Sequence, residues 1–133
     1  MAVTWAAGAA EPAPKGVGTQ MTKISDVHSI PKPADGKEVE GAIKTKIGSV
    51  TEITAFYREW MTAHGWTLDT KNSIMDPNLG VKKGHGFTTI QFWCKRTKPI
   101  TTVSIITGSG DNTDHGRAAD IYIRSLAGED SCP

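Results

Sequence analysis

From Val39 to Ile47 the chain alternates, with Val39, Gly41, Ile43, Thr45 and Ile47 set against Glu40, Ala42, Lys44 and Lys46. A period of two with charges on one side predicts a half-buried strand with a solvated face. The period then changes. Ile53, Phe56, Tyr57, Trp60 and Met61 recur at helical spacing and form one apolar stripe. Ser49 or Thr51 can cap the first turn, and Glu52 adds negative charge there. Gly65 can take the left-handed position that ends a helix, with His64 in the last turn. A helix is therefore predicted over about residues 50–64.

Strand signals dominate the rest. Trp66 and Leu68 alternate in a short strand, and residues 69–86 are rich in turn formers, with a further short strand expected around Leu79 to Lys82. Three β-rich stretches follow, Phe87–Arg96, Ile100–Thr107 and Arg117–Leu126, separated by Pro99 and the GSGDNTDHG run. Short connections predict an antiparallel meander. A four-residue loop, Thr97 to Ile100, would pair Phe92 with Ile105. Ile90, Phe92 and Cys94 would then share a face with Val103, Ile105, Ala119, Ile121 and Ile123. The helix stripe would cover that face. The expected fold class is α+β: one amphipathic helix packed on an antiparallel β-sheet of four to six strands, a two-layer sandwich.

Composition places this core between two ends. Residues 1–20, rich in Ala, Gly and Pro, read as a flexible, disordered N-terminal tail or linker. They have neither the basic start nor the apolar stretch of a complete signal peptide, though a trimmed precursor would leave similar residues. Residues 21–127 read as the single α+β domain, and 128–133 as a polar C-terminal tail. Prolines at 31 and 33 enforce extended backbone ahead of the domain.

Charge excludes more than it assigns. With 15 basic and 14 acidic residues, the net charge of +1 gives no general attraction for nucleic acid or anionic membrane. No apolar run reaches the ~18 residues of a transmembrane helix. The 2 cysteines, Cys94 and Cys132, are too few for a disulfide scaffold and lack metal-ligand spacing. They are either two unrelated thiols or one bridge pinning the C-terminal tail to a strand, which an exporting compartment would favour.

The segment FYREWMTAHGWTLD carries a resemblance. Pro31, Phe56-Tyr57, Met61, Gly65-Trp66, Leu68 and Phe92-Trp93 before Lys95 follow a recurring order: an extended lead-in, a strand, a helix with Phe-Tyr near its start and Gly-Trp after its end, then a meander. This is similar to an uncharacterised domain of exported bacterial proteins and lipoproteins, over about residues 27–125. The resemblance implies the fold and an extracytoplasmic (periplasmic or secreted) setting. It implies no catalytic residues. The long GSGDNTDHG loop departs from the tighter hairpin of that pattern.

Candidate chemistry is sparse. His85, Asp111, Asp114 and His115 would share one rim of the sheet, and two imidazoles with carboxylates suit a divalent metal; the alternative is a hydrated loop of turn formers. Asp111 to Asp114 lack the alternation of a calcium loop, GSG at 108–110 lacks the lysine of a phosphate loop, and no nucleophile elbow is present. On the sheet face opposite the expected core, Gln91, Trp93, Tyr122 and Arg124 have the composition of a binding surface. That face could equally be covered by the N-terminal segment or lie plainly exposed. Lys82, Lys83, Lys95, Arg96 and Lys98 make a locally basic stretch, but of the exposed aromatics that a nucleic-acid surface needs only Trp93 is near.

The function expected is a non-enzymatic, extracytoplasmic interaction or structural module. It would contact a protein or surface partner, or a second copy of itself, through the Trp93/Tyr122 face or the 108–116 loop. No cofactor is expected. The alternatives are a small metal-dependent hydrolase-like enzyme on the His/Asp rim and a weak nucleic-acid binder.

Overall fold

The computed structural model describes residues 21, 27–39, 41–97, 100–109 and 119–126. The two expected tails and most of the GSGDNTDHG run lie outside these residues. Six strands and two helices follow in the order β1 (Lys37–Val39), β2 (Ala42–Thr45), α1 (Val50–Ala63), β3 (Thr67–Leu68), α2 (Pro77–Lys82), β4 (Thr88–Lys95), β5 (Thr101–Gly108) and β6 (Ala119–Ser125). They form one antiparallel sheet in the order β1-β2-β6-β5-β4-β3. The fold is α+β, with α1 as its main helix.

α1 starts where the caps dictate. The Glu52 amide donates to Ser49 Oγ at 3.1 Å, and the Ser49 amide donates to Glu52 Oε1 at 2.9 Å, a reciprocal capping box. The helix ends at His64, and Gly65 follows with φ +89°, the left-handed region that glycine tolerates without strain. Val50, Ile53, Phe56, Tyr57 and Met61 are buried against the sheet with Ile43, Trp93, Val103, Ile105, Ala119 and Ile121. The extended lead-in closes one end of this core: Ile30 is fully buried, and the Tyr57 hydroxyl donates to the Pro31 carbonyl at 2.8 Å.

Three sequence expectations need correction. The alternating run from Val39 to Ile47 is a hairpin rather than one strand: Val39 pairs with Ala42, and Gly41 has φ +85°. The segment around Leu79 to Lys82 is helical. Asp76 caps it by accepting from the Asn78 amide at 2.9 Å, and Pro77 occupies its first turn. The third concerns register. Lys95 pairs with Thr101, so the β4–β5 connection spans the five residues 96–100, and Gln91, not Phe92, stands opposite Ile105. One extra residue exchanges the two faces of β4. Thr89, Gln91 and Trp93 therefore face α1, while Ile90, Phe92 and Cys94 lie on the far side. The β5–β6 register pairs Ile105 with Ile123, which keeps Val103, Ile105, Ile121 and Ile123 on one face as expected.

Among the described residues, no helix is long and apolar enough to cross a membrane.

Candidate functional site

The expected binding quartet is divided by this register. Trp93 is 1% exposed and Gln91 is fully buried beneath α1, so neither presents surface. They form a polar network within the core. The Trp93 indole N–H donates to Gln91 Oε1 at 2.7 Å, and Gln91 Nε2 donates to the Thr54 carbonyl at 3.1 Å. The Thr54 and Thr89 hydroxyls meet at 2.6 Å. Trp93 is packed in the core with the buried face of α1. Tyr122 and Arg124 remain on the far face, half-buried and exposed respectively.

That far face is built from rows that the register lines up. Tyr122 pairs with Ile106, Ile106 with Ile90, and Ile90 with Ile74 through an isolated bridge. The result is an apolar row across β6, β5 and β4 that Ile74 extends by one bridge. Tyr122, Ile106 and Ile90 are half-buried, and Ile74 is buried yet stands outside the α1-side core. On one side of this row runs Arg124–Ser104–Phe92, followed by Thr102–Cys94. On the other runs Lys37–Lys44–Asp120. The sequence pattern placed Ile106 on this face with Tyr122 and Arg124, but it put Ile90 and Phe92 in the core.

The two borders differ in charge. Lys37 and Lys44 stand directly opposite each other, an unfavourable pairing of like charges. The Lys44 ammonium relieves it by an ion pair with Asp120 at 3.2 Å. A cleft of about 460 Å³ opens there, lined by Asp35, Lys37, Lys44, Lys46, Ser109 and Asp120. Asp35 is engaged in the scaffold, since the Thr45 hydroxyl and the Lys46 amide both donate to it. A second groove, of about 670 Å³, lies between the outer side of α1 (Thr51, Ala55, Arg58, Thr62) and Met75 with Pro77.

Three of the four histidines are among the described residues. His85 is exposed, its amide donating to the Gly80 carbonyl at 2.9 Å and its carbonyl accepting from the Thr88 hydroxyl at 3.0 Å. Its expected metal partners Asp111, Asp114 and His115 lie outside the described residues. Among the described residues, no group of three or more His, Cys, Asp and Glu side chains could hold a metal ion. His64 stacks on Trp60 with ring centroids 3.8 Å apart, its Nδ1 2.8 Å from the Trp60 carbonyl. His28, for which the sequence offered no partner, meets the edge of Trp66 at 5.7 Å and lies 3.4 Å from the Ser125 hydroxyl. It does so with φ 52°, followed by Ser29 at φ 64°, a left-handed pair without glycine.

Chemically, the far face offers apolar area with an arginine and lysines at its borders, an arrangement suited to recognition. Cys94, 2% exposed on the same face, is disulfide-bonded. No family model, curated protein or solved structure matches the chain.

Proposed function

We propose that this protein is a non-enzymatic interaction or structural module of an extracytoplasmic compartment. It binds a protein partner, a second copy of itself being the first to test, through the sheet face opposite α1. The carrying observation is the half-buried apolar row Tyr122–Ile106–Ile90, with Phe92 and Arg124 beside it. Aromatic and aliphatic side chains at the centre with arginine at the margin are the usual composition of the buried part of an interface. The disulfide at Cys94 supports the compartment, because such bonds persist where thiols are not kept reduced. The resemblance of Phe56-Tyr57 and Gly65-Trp66 to the exported bacterial domain supports it as well.

Light scattering across a concentration series tests the reading. Self-association is expected, weakened roughly tenfold or more by Tyr122→Ala or Arg124→Ala, the equivalent of about 1.4 kcal/mol. Arg58→Ala, on the outer side of α1 across the sheet from this face, leaves it unchanged. If the wild type and the Tyr122 and Arg124 variants behave alike in self-association, and alike in capturing a cross-linked and identified partner, the reading falls.

A further inference from the structure

β6 presents Asp120, Tyr122 and Arg124 in alternation on the far face, an acid and a base set symmetrically about an aromatic ring. Successive same-face residues of a strand stand ~7 Å apart, so each charge lies about that far from Tyr122. The Lys44 ammonium holds the Asp120 carboxylate at 3.2 Å, yet 34% of the Asp120 side chain stays exposed. Arg124 is exposed and has no acidic partner among the described residues.

Two copies of such a face can meet about a two-fold axis that runs either along the strands or across them. An axis along β6 sets Asp120 over Asp120 and Arg124 over Arg124, like charge against like. An axis across the strands, following the row Tyr122–Ile106–Ile90, reverses the strand direction. Asp120 then lies over Arg124 at two symmetric places. Facing sheets pack ~10 Å apart, a gap that an arginine and an aspartate side chain span together. Their usual inclination of ~30° displaces the pair by about 4 Å at this radius, within an arginine's reach.

Shape points the same way. Rotation about the apolar row lays Arg124–Ser104–Phe92 of one copy over Asp120–Gly108–Thr88 of the other. The flank that carries Phe92 therefore meets one in which Gly108 has no side chain and Thr88 a short one. The half-buried Tyr122, Ile106 and Ile90 meet their own counterparts between the two flanks.

We propose, resting on the reading of this face as an interface, that its partner is a second copy of the chain. The two copies pack face to face about a two-fold axis along Tyr122–Ile106–Ile90, and Asp120 of each pairs with Arg124 of the other. The two ion pairs select the antiparallel arrangement, while the apolar row supplies the buried area.

Sedimentation of the full chain is expected to show a dimer, with Asp120→Arg and Arg124→Asp each self-associating at least tenfold more weakly. Mixing these two variants restores opposite charges at both places, so a heterodimer at least tenfold tighter than either homodimer is expected. The double variant Asp120→Arg/Arg124→Asp should regain self-association in the same way. Arg124→Lys keeps the charge and leaves the face intact. With it, a zero-length carbodiimide should couple position 124 of one copy to Asp120 of the other in a dimer-sized product. A dimer that Tyr122→Ala weakens, but that shows neither recovery on mixing nor this coupling, overturns the two-fold arrangement and leaves the face an interface. A wild type that stays monomeric at every concentration overturns it as well; capture of an identified, different protein through Tyr122 would then sustain the broader reading alone.

Discussion

The indole N–H of Trp93 donates to the side-chain oxygen of Gln91, two residues away on the same strand and on the same buried face, at 2.7 Å. The arrangement lets β4 carry an amide and an indole into the core without leaving either unpaired, because the Gln91 amide group goes on to Thr54 in α1. Gln91→Leu, of similar size, strands the indole N–H in an apolar setting. A loss of about 2 kcal/mol is expected in urea unfolding. Trp93→Ala, which also opens a cavity under α1, is expected to cost ~3–5 kcal/mol.

Tyr57 links α1 to the lead-in segment. Burial pushes its phenol well above the usual tyrosine range. Tyr57→Phe leaves the Pro31 carbonyl without this donor and should cost about 1–2 kcal/mol at neutral pH. The pH dependence has a definite sign. Above the ordinary tyrosine pKa of ~10, the unfolded chain loses this proton while the folded one keeps it. Stability contributed by Tyr57 is complete below that value and declines as the pH rises further. Tyr57→Phe should therefore flatten the alkaline limb of a plot of urea midpoint against pH.

The loop after β3 is organised by Asp69. Its carboxylate accepts from Asn72 Nδ2 at 2.9 Å and from the amides of Lys71 and Asn72 at 3.2 Å. The hydrogen bond from the Asn72 side chain, ahead of those from the backbone, holds its pKa below the usual aspartate value. Stability from this depression is present above about pH 4 and is lost as the pH falls through the lower folded value. Asn72→Ala should reduce the acid-limb slope while changing the midpoint at pH 7 in the same destabilising direction.

Gly80 in α2 lies against the start of β4. A Cβ built there would collide with the Thr88 carbonyl oxygen and sit 2.9 Å from that of Gly86, both backbone atoms that cannot swing aside. Gly80→Ala is expected to destabilise by roughly 2 kcal/mol or more, from overpacking that outweighs alanine's better helix propensity. Amide exchange around Thr88 should accelerate with it.

The parts readable in the sequence are those with redundant signals. In α1 the apolar stripe, the Ser49–Glu52 cap and Gly65 all indicate the same fourteen-residue element. β4 carries conflicting ones. Ile90, Phe92 and Cys94 look more apolar than Thr89, Gln91 and Trp93, and only the length of the connection to β5 decides which set faces the helix. The polar network that makes Gln91 acceptable in the core is a tertiary event with no local trace. α2 escaped notice because Asp76-Pro77-Asn78 suits a turn as well as a helix start, and a six-residue helix has too little periodicity to decide. The candidate surface moved accordingly: Tyr122, Arg124 and Ile106 were legible from the β5 and β6 alternation, whereas their neighbours Phe92 and Ile90 required the register.

The brevity of the outermost strands bears on how copies of this protein can meet. β1 has three residues and carries Lys37, and β3 has two. Alongside β4, Ile74 supplies one further bridge beyond β3. A neighbouring chain seeking to extend the ladder edge to edge would find few consecutive backbone partners on either side. Association that adds strands is discouraged at both margins, and any stable contact is directed onto the broad side of the sheet. A dimer of this protein would thus be held by side chains, with a dissociation rate sensitive to single substitutions and without the template for fibrillar growth that a long open edge provides.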